Sequence, residues 1–234
     1  MGDWNKSPAR KGLSRWLAGL ATLLAVGPAL ADESAIAAAD RLVSAIYYEG
    51  FPYEEARALD LEQAGYLATL LDEPDRARDH ANVMLALGMA GHPGSFEILS
   101  AYPPGVSGEV SRSTWRLLRA RYQATGHLAR FDARAEAWLA ARARGVAPEA
   151  AFSFRALSGD RMRRERRIQA LRSLPLAASD SARDALGELA TDPDPSVAAA
   201  AREARGRIDR IRAVGAEIYF RDLGRDPRPG RAQP

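Results

Sequence analysis

Apolar side chains return every three or four residues along most of this chain, a spacing that predicts helices almost throughout. Around Asp132, Phe131, Ala135, Trp138 and Leu139 fall at i, i+4, i+7 and i+8, one stripe from which Arg130, Arg134 and Glu136 turn away. After Asp192-Pro193-Asp194-Pro195, the residues Val197, Ala201, Ala204, Ile208 and Ile211 draw a second stripe along an alanine-rich helix. Proline suits the first turn of that helix, where its missing N–H costs nothing, and a neighbouring Asp or Ser caps the free amides. By the same periodicity, helices are expected over 34–48, 54–71, 75–90, 94–101, 110–125, 148–157, 160–174, 179–190 and 213–222. No stretch sustains a period of two between hairpin turns, so no strand is expected and the fold class is all-α.

The first 31 residues stand apart. Lys6, Arg10, Lys11 and Arg15 precede the apolar run LAGLATLLAVGPALA, which ends in Ala29-Leu30-Ala31. A basic start, a short apolar stretch and a small-residue ending predict a secretory signal peptide over 1–31, cleaved before Asp32. The run is shorter than the roughly 20 residues a spanning helix needs. No cysteine follows it, which excludes a lipid-anchored lipoprotein. The expected product is soluble, periplasmic or secreted, and holds together without disulfides because the chain has no cysteine.

Removing the leader changes the charge. Of 33 Lys plus Arg and 30 Asp plus Glu, four bases and one acid lie in it, so 29 of each remain and a nucleic-acid partner loses its electrostatic argument. The remainder is unevenly spread: residues 32–100 hold thirteen acids and four bases, residues 101–172 six and fifteen, and residues 173–234 ten of each. Residues 32–223 are expected to form one helical array, and the proline-bearing tail, 224–234, to be disordered.

Many short helices with brief connections suggest stacked helical pairs, and local motifs agree. The stretch DPDPSVAAAAREARGRI, with Val197, Ala201, Ala204, Gly206 and Ile208, resembles the first helix of a HEAT repeat in its short bacterial form, that of the phycobilisome lyases, although Arg205 stands where leucine is usual. Asp72-Glu73-Pro74-Asp75 followed by Leu87-Gly88-Met89-Ala90-Gly91-His92-Pro93 and then Phe96, Ile98 and Leu99 looks like a second copy with a longer opener. In the middle, Trp115, Leu118, Tyr122, Gly126 and Leu128 are similar to the first helix of a tetratricopeptide unit, whose second helix does not follow. Either resemblance implies an α-α superhelix, a solenoid in which each pair buries its apolar face on its neighbours.

Candidate chemistry is sparse. His80, His92 and His127 have no partner at metal-ligand spacing, and each is expected to be solvated or capping. Ser95 and Ser107 lack a nucleophile-elbow setting. Glu54-Glu55 and Asp72-Glu73 lie at helix starts, where negative charge is favourable in itself. No cofactor is expected.

Two features suit binding. Arg161, Arg163, Arg164, Arg166 and Arg167 crowd the first turns of one helix, where positive charge opposes the helix dipole and calls for an acid. The charge is met either by the chain's own acidic N-terminal third or simply by solvent, or else by an acidic partner or anionic lipid headgroups. Tyr47, Tyr48, Phe51 and Tyr53 cluster at a helix-to-helix turn, and tyrosines suit either an interface or the capped end of a stack. These features predict an exported scaffold or adaptor that binds a protein partner on a concave surface without catalysis. The alternative is an enzyme or enzyme accessory resembling HEAT-like lyases, with a small-molecule cleft lined by Trp115, Tyr122 and Trp138; an open pocket with converging polar groups would favour it. Weak contact with an anionic membrane surface is a third reading.

Overall fold

The computed structural model describes residues 33–47, 50–147 and 150–223; the expected signal peptide over 1–31, Tyr48 and the expected tail over 224–234 lie outside them. Most of the described chain is helical: α1 (Glu33–Ser44), α2 (Tyr53–Arg57), α3 (Leu61–Leu70), α4 (His80–Ala90), α5 (Ser95–Ala101), α6 (Arg112–Leu128), α7 (Ala133–Arg144), α8 (Gly159–Ser173), α9 (Asp180–Leu189), α10 (Pro195–Val214) and α11 (Ala216–Leu223).

The helix starts follow from side-chain caps. Asp194 accepts from the amides of Ser196 (2.9 Å) and Val197 (3.4 Å) ahead of Pro195, and Val197, Ala201, Ala204, Ile208 and Ile211 are all buried along α10, as the stripe predicts. The single helix expected over 54–71 is instead two. Asp60 accepts from the Gln63 amide at 2.7 Å while the Gln63 side chain accepts from the Asp60 amide at 2.9 Å, a reciprocal cap that starts α3 afresh. The segment expected to be helical from 75 begins as a 3-10 turn over Pro74–Arg76 and becomes α-helical only at His80.

At the centre lies α4, apolar on nearly every side, with Val83, Met84, Ala86 and Leu87 buried and α6 packed against it. The crossing is close enough to require glycine: a Cβ on Gly88 would lie 2.2 Å from the carbonyl oxygen of Ala124; where α6 meets the end of α8, one on Gly126 would lie 2.5 Å from that of Ser173. Further along, α7 packs on α8, and α10 packs on both α8 and α9.

Two expectations fail outside the helices. The helix expected over 148–157 is not formed: Phe152–Ser153 (β2) pairs in parallel with Gly108–Glu109 (β1), and the Val110 amide donates to the Ser153 carbonyl at 2.8 Å. The driving force is aromatic packing. Phe152 lies 6.2 Å from the Trp115 ring, Phe154 stacks on it at 5.6 Å, and Val110, Leu118 and Met162 complete a second, smaller core. The stripe around Asp132 also shifts: Ala135 and Leu139 are buried, but Phe131 is exposed under the Arg57 guanidinium, and Arg130 turns inward instead of away.

Arg130 turns inward because it meets both ends of the described chain. It pairs with Glu217 of α11 and donates to the hydroxyl of Tyr53 at the start of α2. The Tyr53 ring packs 5.5 Å from Phe220, so α2 and α11 close on each other.

Candidate functional site

The outer face of α6 carries Arg112, Arg116, Arg119 and Gln123 at i, i+4, i+7 and i+11, all exposed, while Trp115, Leu118 and Tyr122 behind them are buried. Ser111 starts this helix by accepting from the Thr114 amide at 3.1 Å. The row is the floor of an open groove. One wall is Arg78 with Asn82 and Leu85 of α4; the other is Arg172 and Ser173 at the end of α8, Leu176 and Arg207 of α10. The groove widens into two connected cavities of about 710 and 1220 Å³.

Its charge is predominantly positive. Arg155 lines the larger cavity beside Phe154, and no carboxylate of the described residues lies within ion-pairing distance of Arg112, Arg116, Arg119, Arg155 or Arg172. Among the described residues the one acid on the groove wall is Asp79, and its carboxylate already holds Arg76 at 2.8 Å and Arg78 at 3.3 Å. Elsewhere arginines are paired as usual: Arg144 with Glu188, Arg183 with Asp209 and Arg212 with Asp180.

The smaller cavity ends differently. Ile46, Phe51, Leu85, Met89 and Phe220 form its apolar end, and His127 lines it. Although expected to be solvated, His127 is buried, with the Phe220 ring edge-on at 5.0 Å and Nδ1 without a hydrogen-bond partner. Burial, aided by the charges of Arg130 and Arg207, pushes its pKa down to about 3, so the ring is neutral. His80 is buried too, but satisfied, between the Tyr102 hydroxyl on Nδ1 and the Glu73 carbonyl on Nε2. His92 donates to the Leu59 carbonyl at 2.6 Å. No three His, Cys, Asp or Glu side chains among the described residues are grouped to hold a metal ion.

The arginines singled out from the sequence lie elsewhere, on α8. Arg163 pairs with Asp160, Arg164 with Asp194 and Arg167 with Asp192, so the compensating acids come from α8 itself and from the Asp192 turn instead of the N-terminal third. Arg167 also donates to the Ala143 carbonyl at 2.8 Å, and the buried Arg166 donates to that of Ala150 while covering the Phe152 ring. Arg161 is exposed. Of the aromatic cluster, Tyr47 packs edge-on against Phe51 at 5.2 Å beside the smaller cavity, and Tyr53 is buried in the α2–α11 contact. Trp115, Tyr122 and Trp138 do not share a cleft: Trp115 belongs to the smaller core, and Tyr122 and Trp138 to the larger.

Arg112, Arg116 and Arg119 were not singled out from the sequence, although their place on the polar side of an amphipathic helix was a signal for them. Arg78, Arg155, Arg172 and Arg207 reach the groove from distant elements, and nothing in their local sequence announces it. A scan of family models and searches of curated proteins and of solved structures return no match to this chain.

Proposed function

We propose that this chain is an exported helical-repeat protein, a scaffold or adaptor in the bacterial envelope that binds a protein partner in the α6 groove and performs no catalysis of its own. The observation that carries this is the row of exposed, acid-free arginines on the groove floor. Like charges held close repel one another, and an external counter-charge relieves that repulsion. The neighbour-on-neighbour packing of α7, α8, α9 and α10 supports a HEAT-like α-α superhelix, with the groove as its concave side and the α2–α11 contact curling the stack. The leader over 1–31 supports export.

A small-molecule enzyme is less well supported. The groove's polar groups converge in charge, not in acid–base function: general acid–base work wants a pKa near the working pH, and that of His127 lies at about 3.

A photo-crosslinking residue at Gln123, on the groove floor, tests the reading in the envelope of the expressing cell. A single protein adduct, absent when the crosslinker sits at Arg161 and lost in an Arg116→Glu, Arg119→Glu variant, is expected. An adduct indifferent to that charge swap, or none at all, would overturn the reading. Mass spectrometry of the exported protein should find Asp32 at its N-terminus.

A further inference from the structure

We infer that the occupant of the groove is an extended acidic peptide segment, its carboxylates on the α6 arginines and one bulky apolar side chain seated at the His127 end. This rests on the interaction reading above and adds the chemistry of the occupant.

Spacing comes first. Arg112 and Arg116 are separated by about 6 Å along the helix axis at about 1.5 Å per residue. An extended chain presents side chains to one side every 6.6 Å or so. Acidic residues at alternate positions therefore keep step with the floor, and the stretch from Arg112 to Gln123, about 16 Å, accommodates about five extended residues, about three of them acidic. A cavity of about 1220 Å³ that stays open to solvent suits such a segment better than a small molecule, whose sites run to roughly 1,000 Å³ and enclose their ligand.

The far end of the groove supplies the anchor. Ile46 is 78% exposed there and Phe51 and Leu85 are half-buried, above a floor of Met89 and Phe220. Beside them the Nδ1 of His127 is buried without a partner.

Other occupants fit less well. The chain's own termini have the wrong sign: residues 1–32 hold four bases and two acids, and residues 224–234 three bases and one. A lipid tail finds no dry path, since Arg78, Asn82, Arg116 and Gln123 line the middle of the groove. An oligonucleotide carries charge along its whole length, whereas Ile46, Phe51, Met89 and Phe220 give the far end of the groove an apolar lining.

The probe is a fluorescent synthetic peptide of alternating glutamate and serine with one terminal phenylalanine, followed by anisotropy on the full exported protein at low salt. Saturable binding is expected. Replacing each glutamate of the peptide by glutamine, or Arg112, Arg116 and Arg119 of the protein by glutamate, should each weaken it about a hundredfold, three exposed ion pairs being lost. Ile46→Asp should cost several-fold, and Arg163→Glu nothing. Circular dichroism confirms folding of the variants, and the glutamine peptide tests the inference on the unaltered protein.

Equal binding of the glutamine peptide, or no binding, overturns the inference. So does preference for oligothymidylate or for phosphatidylglycerol vesicles. Self-association of the wild type that ignores the peptide and dissolves in the triple variant also overturns it, in favour of a second copy docking its acidic N-terminal third. A charge-dependent Gln123 adduct without peptide binding leaves the interaction reading standing and removes only this inference; peptide binding without any adduct does the reverse.

Discussion

The phenolic oxygen of Tyr53 donates to Oε2 of Glu217 at 2.7 Å across 164 positions of sequence, and Arg130 reaches both partners. Burial keeps the Tyr53 proton on, raising its pKa, and the Glu217 carboxylate raises it further. Burial works against the Glu217 charge, but the Tyr53 hydroxyl and the Arg130 guanidinium outweigh it and hold that carboxyl below its usual value. The contact fixes α11 over the His127 end of the groove, with Phe220 as the inserted ring.

Tyr53→Phe removes the hydroxyl and keeps the ring. Because Glu217 retains Arg130 and is partly exposed, the expected loss is modest, about 1 kcal/mol in urea unfolding. Amide exchange should accelerate in α11 and leave α4 unchanged. An unaltered α11 would mean that Phe220 holds the helix without the hydrogen bond.

Two glycines should respond with opposite sign. Gly88→Ala places a Cβ 2.2 Å from the Ala124 carbonyl oxygen, a backbone atom that cannot step aside. The helices must part, at a cost of about 3 kcal/mol. Gly65, inside α3, has nothing within 4 Å of its Cβ position, so Gly65→Ala should stabilise by about 0.5–1 kcal/mol through helix propensity. Thermal melts of the two variants decide the matter; a neutral Gly88→Ala would show that α4 and α6 are not so closely crossed.

Periodicity carried the helices because burial stripes and helix period are one signal: Val197 through Ile211 needed no tertiary information. It failed where side chains act locally or at long range. The break between α2 and α3 was written in Asp60-x-x-Gln63 as a cap, a signal that periodicity smooths over. The strand at Phe152 was present as Phe-Ser-Phe alternation, too short to outweigh the helical residues around it until Trp115 supplied a surface. The groove shows a sharper limit. Arg163, Arg164 and Arg167 stood out because they are close in sequence, yet Asp160 of their own helix and two aspartates from a neighbouring turn meet them, whereas the groove arginines without a carboxylate among the described residues are scattered from Arg112 to Arg207 and converge only in the fold.

Arg167 and Arg161 should therefore part company. Arg167→Ala strips the Asp192 carboxylate, 9% exposed, of its cation and the Ala143 carbonyl of its donor. Leaving a shielded charge unpaired costs about 2–3 kcal/mol, tempered here by the Asp194 amide that still donates to Asp192. Arg161→Ala, at an exposed position with no carboxylate of the described residues in ion-pairing distance, should stay within about 0.5 kcal/mol. Equal effects in urea titrations would mean that the Asp192 pairing is not made in solution.

The groove arginines should act against stability. Arg112 and Arg116 are an i, i+4 pair of like charge and Arg119 follows at i+3, an arrangement that costs about 0.2–0.5 kcal/mol per pair. Arg116→Gln is expected to stabilise the protein by about 0.5 kcal/mol at low salt, with the gain vanishing as salt screens the repulsion. The same substitution should weaken peptide binding. A destabilised Arg116→Gln would reveal a structural partner and take this arginine out of the binding surface.

His127 gives the pH dependence. Its pKa falls from about 6.5 in the unfolded chain to about 3 in the fold, driven by burial and by Arg130 and Arg207. Tyr53 and Phe220 also face the ring, Glu217 is engaged by Arg130, and Asp79, which lines the same cavity, by Arg76 and Arg78. Above pH 6.5 both states are neutral and the stability of the site is complete. As pH falls below 6.5 the unfolded chain takes up a proton that the folded one refuses, so stability is lost at up to about 1.4 kcal/mol per pH unit until the folded ring titrates near pH 3. The diagnostic window is about pH 6.5 to 4.5, above the range where the lowered carboxyls of Glu217 and Asp194 add losses of their own. Across it, wild-type stability should fall by about 2 kcal/mol more than that of His127→Gln, whatever their absolute stabilities. Urea titrations at several pH values measure that difference in slope. Parallel slopes would mean that the imidazole can turn to water, and that the apolar end of the groove is wetter than its lining residues imply.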